Sequence, residues 1–430
     1  MGADLSDLRS RRPEGLSAPD RRRYEDTLRC NRCGLCTSFC PTYLATGNEA
    51  LSPRGRAQAL RSFYEGFIRD PVDAARAFDS CLQCGGCTTV CFSEVPTAKL
   101  MGTARGKVGE ARGVPAAQRF LLRRFLSHPR LMEMALRLLF AAKRLGISGM
   151  LRRLGLLRRV SPALAAAEEI AGRLPLRFPK RVRARPDVQV VRFVSCGTHF
   201  LVPEAARATA RLLDRAGARH GCAGTVCCGL PAVSLGDLDA ARALAKKNTE
   251  ALEKFPSAVV LADDSSCAAT LKDYPSLFEE DPAWLRRAKA VAARVKDLSE
   301  WLVGRGEDGL PSTRNPELGT VKVTYHDPCK ARHAQKLTEA PRTLLKRLPG
   351  VEYVELPEAD QCCGGGGVTS LREPEMSRAI LDRKVRNVAS TGASTVVTSA
   401  ASCLLQLRFG LRRLGSKVRA VHLAEFLEKW

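Results

Sequence analysis

No stretch of this sequence stays apolar and uncharged for the length of a bilayer span, so none of it reads as a transmembrane helix. An apolar leader with a cleavage site is missing too. Arg11 and Arg12 have no hydrophobic segment behind them, so export is not expected. Aromatic residues make up only 6% of the chain, and no recognition motif accompanies its basic charge, which argues against a nucleic-acid partner. There is no glycine fingerprint followed by its acidic residue and no nucleophile elbow, so a flavin or nicotinamide site is not expected in this chain. Six histidines are too few for a histidine-rich metal site. Acidic residues run short as well, 45 against 69 Lys/Arg, leaving a net charge of +24.

Cysteine, by contrast, is abundant: 17 in 430 residues, a length that allows two or three domains. Cysteine at this density in a large chain without an export signal points to metal or redox chemistry rather than disulfides. The positive charge is concentrated. Residues 111–186 hold 18 Lys/Arg against three Glu, which accounts for +15 of the +24. Leu and Phe are interleaved with the charges, as in "RFLLRRFLSHPRLMEMALRLLFAAKRLG", a pattern of basic amphipathic helices. Such a segment serves as a solvated linker, or docks on a membrane surface or a partner.

The expected organisation is α+β and multidomain: a disordered basic tail (1–23), a cysteine-rich helical domain (24–112), a basic helical connector (113–186) and two repeated α/β domains (187–310 and 311–430). The repeat is visible in the sequence. "VQVVRFVSC", "VCCG" and "SAVVLADDSSC" are answered by "VKVTYHDPC", "QCCGG" and "STVVTSAASC". Four strand candidates thus lead to Cys196, Cys267, Cys329 and Cys403, and strand followed by helix predicts parallel α/β units.

The helical domain carries "CNRCGLCTSFCP" (Cys30, Cys33, Cys36, Cys40) and "CLQCGGCTTVCF" (Cys81, Cys84, Cys87, Cys91). Each is the C-x2-C-x2-C-x3-C run of two-cluster ferredoxins, in which the fourth cysteine serves the other cluster. One [4Fe–4S] cluster is therefore expected on Cys30, Cys33, Cys36 and Cys91, and the second on Cys81, Cys84, Cys87 and Cys40. Zinc is the competing reading of C-x2-C pairs. Phe92 replaces the proline usual after the second run. Ser52 and Pro53 mark a helix start, from which Arg54 and Arg56 either offset cluster charge or face solvent.

Each repeat offers C…CC…C: Cys196, Cys227, Cys228 and Cys267, then Cys329, Cys362, Cys363 and Cys403. The intervening lengths are 30 and 38 residues in the first copy and 32 and 39 in the second. A thiol between strand and helix is expected to ionise more readily through the helix dipole. Gly364 and Gly365 would let the backbone close over a metal centre, and Lys330 would lie beside it. The competing reading is four buried structural thiols per copy. His199 and His326 either tune a centre or are satisfied structural residues. Cys222 falls outside the pattern.

On "CNRCGLCTSFCPTYLATGNEALSPRGR", "CLQCGGCTTVC", "HDPCKARH" and "CCGGGGVTS", the chain resembles the iron–sulfur subunit family of glycolate oxidase and related 2-hydroxy-acid dehydrogenases. The resemblance implies a two-cluster ferredoxin domain joined to two cysteine-rich CCG domains. It further implies electron transfer from a separate FAD-binding dehydrogenase subunit that oxidises glycolate or D-lactate, toward a quinone or other acceptor. The chain alone would then not turn over. The implied location is cytoplasmic, with peripheral contact to the inner face of the membrane through the connector. Heterodisulfide reductase subunits share the modules, and the alternative implied by them is reduction of a disulfide at the CCG site. The full CCG signature has five cysteines. Here Asp264 and Ala400 replace the fifth, leaving open whether each copy holds an iron–sulfur cluster, a zinc ion or nothing.

Overall fold

The computed structural model describes residues 13, 15–172, 174–306 and 319–430. Most of the expected tail (residues 1–12 and 14, with Arg11 and Arg12) and the expected boundary at 310/311 lie outside the described residues. The end of that tail is not disordered. Ser17 caps the helix Ala18–Leu28, accepting from the Asp20 N–H, with proline in its first turn. Tyr24 of this helix is buried in the first domain. The capping signal outweighs the polar composition.

The cysteine-rich domain is helical, built mainly from Ala18–Leu28, Pro53–Tyr64 and Thr97–Arg112. Ser52 and Pro53 start the middle helix as the sequence predicts, with the Ser52 hydroxyl accepting from the Gly55 N–H. Leu60, Phe78, Leu100 and Met101 form the core between them, each contributing roughly 1.5–3 kcal/mol by burial.

Each repeat is a four-stranded, wholly parallel sheet. The first has β1 (Val190–Phe193), β2 (His220–Cys222), β3 (Val259–Ala262) and β4 (Val295–Asp297), in the order β2-β1-β3-β4. The second has β5 (Val321–Tyr325), β6 (Val351–Tyr353), β7 (Thr395–Thr398) and β8 (Arg419–His422), in the matching order β6-β5-β7-β8. Val191 pairs with Val260 in one sheet and Val323 with Thr395 in the other. Such sheets need cover on both faces, which explains their near-continuous apolar strands.

The strands stop short of the cysteines. Cys196 and Cys329 each precede a single π-turn, Gly197–Leu201 and Lys330–Ala334. Cys267 and Cys403 lie in the first turns of the helices Ser265–Lys272 and Ala401–Arg413. All four sites therefore gather at the C-terminal edges of their sheets, where parallel α/β units carry their chemistry.

The repeats share one apolar cluster. Leu212, Leu213 and Trp301 of the first pack with Val323, Leu345, Phe426 and Trp430 of the second. The connector forms helices at Ala116–Phe120, Pro129–Arg144, Ile147–Arg153, Leu156–Val160 and Pro162–Ala171. Leu122, Leu126 and Met132 pack beside Cys227 and Phe200 of the first repeat, and the Arg412 side chain bonds the Ile170 carbonyl. No helix among the described residues is long and apolar enough to cross a membrane.

Candidate metal centres

The two C-x2-C-x2-C loops repeat the same backbone. Arg32 and Gly34 in one, and Gln83 and Gly85 in the other, take left-handed conformations (φ 55°, 85°, 50° and 88°). Such residues turn successive amide N–H groups into a concavity that suits an anion. Holding a non-glycine residue there costs roughly 1–3 kcal/mol, and Arg32 and Gln83 carry that cost at matching positions.

The thiols associate across the runs. Burial first, and then Cys30 and Cys91, push the Cys36 pKa up to about 11. Cys87 is raised by burial and then by Cys81 and Cys40. Cys91 thus stands near Cys36 and Cys30, and Cys40 near Cys87. Arg56 is 1% exposed, and its guanidinium donates to the Ala77 carbonyl (2.6 Å), Ser80 Oγ (2.9 Å), Thr42 Oγ1 (3.1 Å) and Cys40 Sγ (3.8 Å). Arg54 behaves differently. Its side chain pairs with Glu49 on the surface, while its backbone N–H donates to the Cys36 thiol.

In the second repeat, Cys329, Cys362, Cys363 and Cys403 form a continuous line of hydrogen-bonded thiols. The glycines after them are needed. At Gly364 (φ +84°) a Cβ would fall 2.5 Å from the Ser377 carbonyl, and at Gly366 it would fall 2.2 Å from Leu82 Cδ2. The Gly365 N–H donates to the Cys363 thiol. The Lys330 N–H donates to Cys329. Its side chain lines a cleft of about 1060 Å³ between the helical domain and the first repeat, which Cys84 also lines. The buried Lys384 amine bonds the Glu358 carbonyl and lies near Cys362 and Cys363.

The helical domain docks against this second site. Leu82 packs with Cys362, Met376 and Ile380, and Cys84 with Cys329. Cys84 feels the charge of Cys329, and Cys362 that of Cys84. His333, which was given no role from sequence, bridges the two parts. Its Nδ1 lies 3.0 Å from Thr89 Oγ1 and its Nε2 3.1 Å from the Asp360 carbonyl, and its ring meets Phe39 edge-on. Its place four residues after Cys329 was the available signal.

In the first repeat, Cys227 bonds Cys196 and Cys228, and Cys228 bonds Cys267. Each set bonds within its own repeat. Between them lies Asp264, whose carboxylate accepts from the Ser266 N–H (2.9 Å) and, across the repeats, from the Ala401 N–H (2.8 Å). Burial pushes its pKa up to about 6. His199 is a satisfied structural residue. It receives the Arg181 Nε at 3.3 Å and packs on Phe178 and Phe200. His326 is wholly buried, the Ala359 carbonyl stands near its ring, and neither nitrogen makes a well-formed hydrogen bond. Cys222 sits on β2, apart from both sets.

The expected helix-dipole effect on the thiols is overridden. Hydrogen bonding to Cys362, then burial, pushes Cys329 well up, and Cys196 and Cys228 with burial do the same to Cys227. Only Cys228 moves down, held by Cys227 and Cys267. Four crowded thiols ionise together only with a cation among them, and thiolate is the form that binds metal. Buried sulfurs, inward amides and nearby guanidinium or ammonium groups fit iron–sulfur centres.

Comparison with known proteins agrees. The 4Fe–4S dicluster domain profile matches residues 26–95, the cysteine-rich CCG domain profile matches 190–272 and 323–408, and the profile of the glycolate oxidase iron–sulfur subunit linker region matches 113–171. A probable glycolate oxidase iron–sulfur subunit of Bacillus subtilis is 32% identical over 94% of this chain and 93% of its own length. The glycolate oxidase iron–sulfur subunit of Escherichia coli is 30% identical over 88% of this chain and 89% of its own. Lactate utilization protein A of an Exiguobacterium is 32% identical over 56% of this chain and 97% of its own. A crystal structure of a hypothetical protein from Helicobacter pylori shares the fold at a TM-score of 0.55 and 7% identity, covering 98% of this chain and 73% of that one.

Proposed function

Because the chain belongs to the iron–sulfur subunit family of glycolate oxidase, we propose that it is the electron-transfer subunit of a 2-hydroxy-acid dehydrogenase, fed by a partner that binds FAD and oxidises glycolate or D-lactate. The same reading divides the chain at residues 24, 113, 187 and 311. It assigns Cys30, Cys33, Cys36 and Cys91 to one [4Fe–4S] cluster, and Cys81, Cys84, Cys87 and Cys40 to the other. Cys329, Cys362, Cys363 and Cys403 hold a further centre, and Cys196, Cys227, Cys228 and Cys267 the corresponding site of the first repeat. When bound, such clusters supply one-electron steps between a two-electron flavin and its acceptor.

The observation that carries this reading is the position of Cys84 beside Cys329 and Cys362. The residues thereby define a route from the Cys30 set through the Cys81 set to the second repeat. Arg56 offsets negative charge at Cys40, and Lys384 does so at Cys362 and Cys363. Gly364 and Gly366 close the backbone against Leu82 and Ser377 and keep water out. At the outer end, Cys33 is exposed, with Leu35 (50% exposed) and Phe92 (66% exposed) on the same two loops. The flavoprotein docks on this apolar rim.

Quinone reduction would bring the chain to a membrane surface. The connector exposes Leu138, Leu145, Leu154 and Val160 among Arg144, Arg152, Arg153, Arg158 and Arg159, a composition suited to an anionic lipid interface. Anaerobic co-purification tests the whole reading. The expected result is an FAD protein travelling with this chain and clusters that become reduced on adding glycolate or D-lactate. Fewer than about eight irons per reconstituted chain would remove the two-cubane core of the proposal.

A further inference from the structure

His326 lies between β5 and Cys329. The Ala359 carbonyl near its ring can take at most one N–H, and a ring nitrogen buried without a partner costs about 1–3 kcal/mol unless something else binds it. A ring nitrogen of His326 and the Sγ atoms of Cys363 and Cys403 all lie within 4.8 Å of one another. Ligands of one tetrahedral ion, at metal–ligand bonds of about 2.0–2.3 Å, stand roughly 3.3–3.8 Å apart. The three groups thus lie close enough for small side-chain adjustments to bring them onto one ion.

We propose that His326 is the fifth ligand of the centre in the second repeat, its imidazole binding the iron that Cys363 and Cys403 also hold. Cys329 and Cys362 continue the same line of thiols, and five donors exceed the four that a structural zinc ion takes. The set calls for an iron–sulfur centre with more than one iron. The first repeat supplies the contrast. Phe193 occupies the place of His326 there, three residues before the first cysteine. Asp264, three residues before the last one, is already committed to the Ser266 and Ala401 amides. The inference rests on the iron–sulfur reading above, yet it fails separately. A chain with its clusters intact and no imidazole ligand would overturn it alone, whereas a chain short of iron would overturn the reading beneath it.

The test uses the full chain, reconstituted anaerobically with iron and sulfide, with and without [15N]histidine. Pulsed EPR is expected to show a 14N coupling on one centre that converts to 15N on labelling, an arm that needs no substitution. In His326→Cys the coupling should vanish at unchanged iron content, and the potential of that centre should fall as thiolate replaces imidazole. His199→Phe should leave the coupling intact. Absence of nitrogen coupling in the labelled wild type, its persistence in His326→Cys, or zinc in place of iron in the second repeat would overturn the proposal.

Discussion

The two CCG repeats share sheet order, cysteine spacing and even the π-turn after the first cysteine, yet their surroundings have diverged. The first has Phe193 and a hydrogen-bonded Asp264, and its thiols face the connector through Leu126 and Leu122. The second has His326 beside Cys363 and Cys403, with Ala400 in place of the aspartate, and its thiols face Leu82 and Cys84 of the helical domain. A duplicated scaffold has thus kept its donors twice. The helical domain touches both repeats, reaching the first through Arg105 and the Ser234 carbonyl, but its cysteine Cys84 stands beside the thiols of the second. The difference teaches that cysteine spacing marks where a centre can form, whereas the neighbours decide which centre lies on the electron route.

The largest expected effect comes from breaking the second site. Cys363→Ser should slow electron transfer from the flavoprotein by at least roughly 100-fold, beyond the range seen on losing an outer-shell partner, while Cys228→Ser should do far less. Stopped-flow reduction of an artificial acceptor compares the two, and equal losses would break the contrast. Next come the glycines. Gly366→Val sets a branched side chain at positive φ against Leu82 and should destabilise the chain by about 3 kcal/mol or more. Gly229→Ala in the first repeat, also at positive φ but with its nearest neighbour 3.6 Å from the added Cβ, should cost only about 1–2 kcal/mol. Denaturant unfolding of the anaerobic protein measures both.

Much of this was legible in the sequence. The repeat, the parallel strands and the helix Pro53–Tyr64 follow from apolar periodicity and capping residues, and Cys91 stands near Cys36 as Cys40 does near Cys87. Other features depend on contacts between distant segments. Nothing local to Leu82 says that it will meet Gly366, and no pattern around His326 says that its ring will come to lie beside Cys363 and Cys403. Arg54 and Arg56 look equivalent in sequence, yet only Arg56 lies on the face of its helix toward Cys40. The dipole expectation failed because a helix end contributes about 0.3–1 kcal/mol, less than crowding and burial among thiols.

Arg56→Met sharpens the comparison within the helical domain. It would remove the Arg56 bonds to the Ala77 carbonyl and Ser80 hydroxyl, which would keep only the bond between them, destabilising by roughly 1–3 kcal/mol. It should also lower the potential of the cluster at Cys40 by removing a positive charge, which a redox titration would detect. Arg54→Met should do neither to a similar degree.

The smallest expected effect lies in acid stability. Burial and then Arg181 lower the His199 pKa to about 3, and burial lowers that of His422 in the second repeat to about 4. Both groups fold neutral, so their contribution is complete above the unfolded value near 6.5 and declines as pH falls toward those folded values. The slope is roughly 1.4 kcal/mol per pH unit for each group. Below about pH 4 only His199 should still contribute to the decline. His199→Phe should therefore flatten the acid arm over a wider range than His422→Phe, as read by unfolding midpoints between pH 7 and 3.5.

The central claim is that the second repeat, and not the first, is wired to the ferredoxin-type clusters. EPR of the reduced, fully reconstituted chain tests it through magnetic coupling between centres. The account predicts that coupling of a ferredoxin-type cluster to a CCG centre is lost in Cys363→Ser and kept in Cys228→Ser. Coupling kept in Cys363→Ser and lost in Cys228→Ser would contradict it.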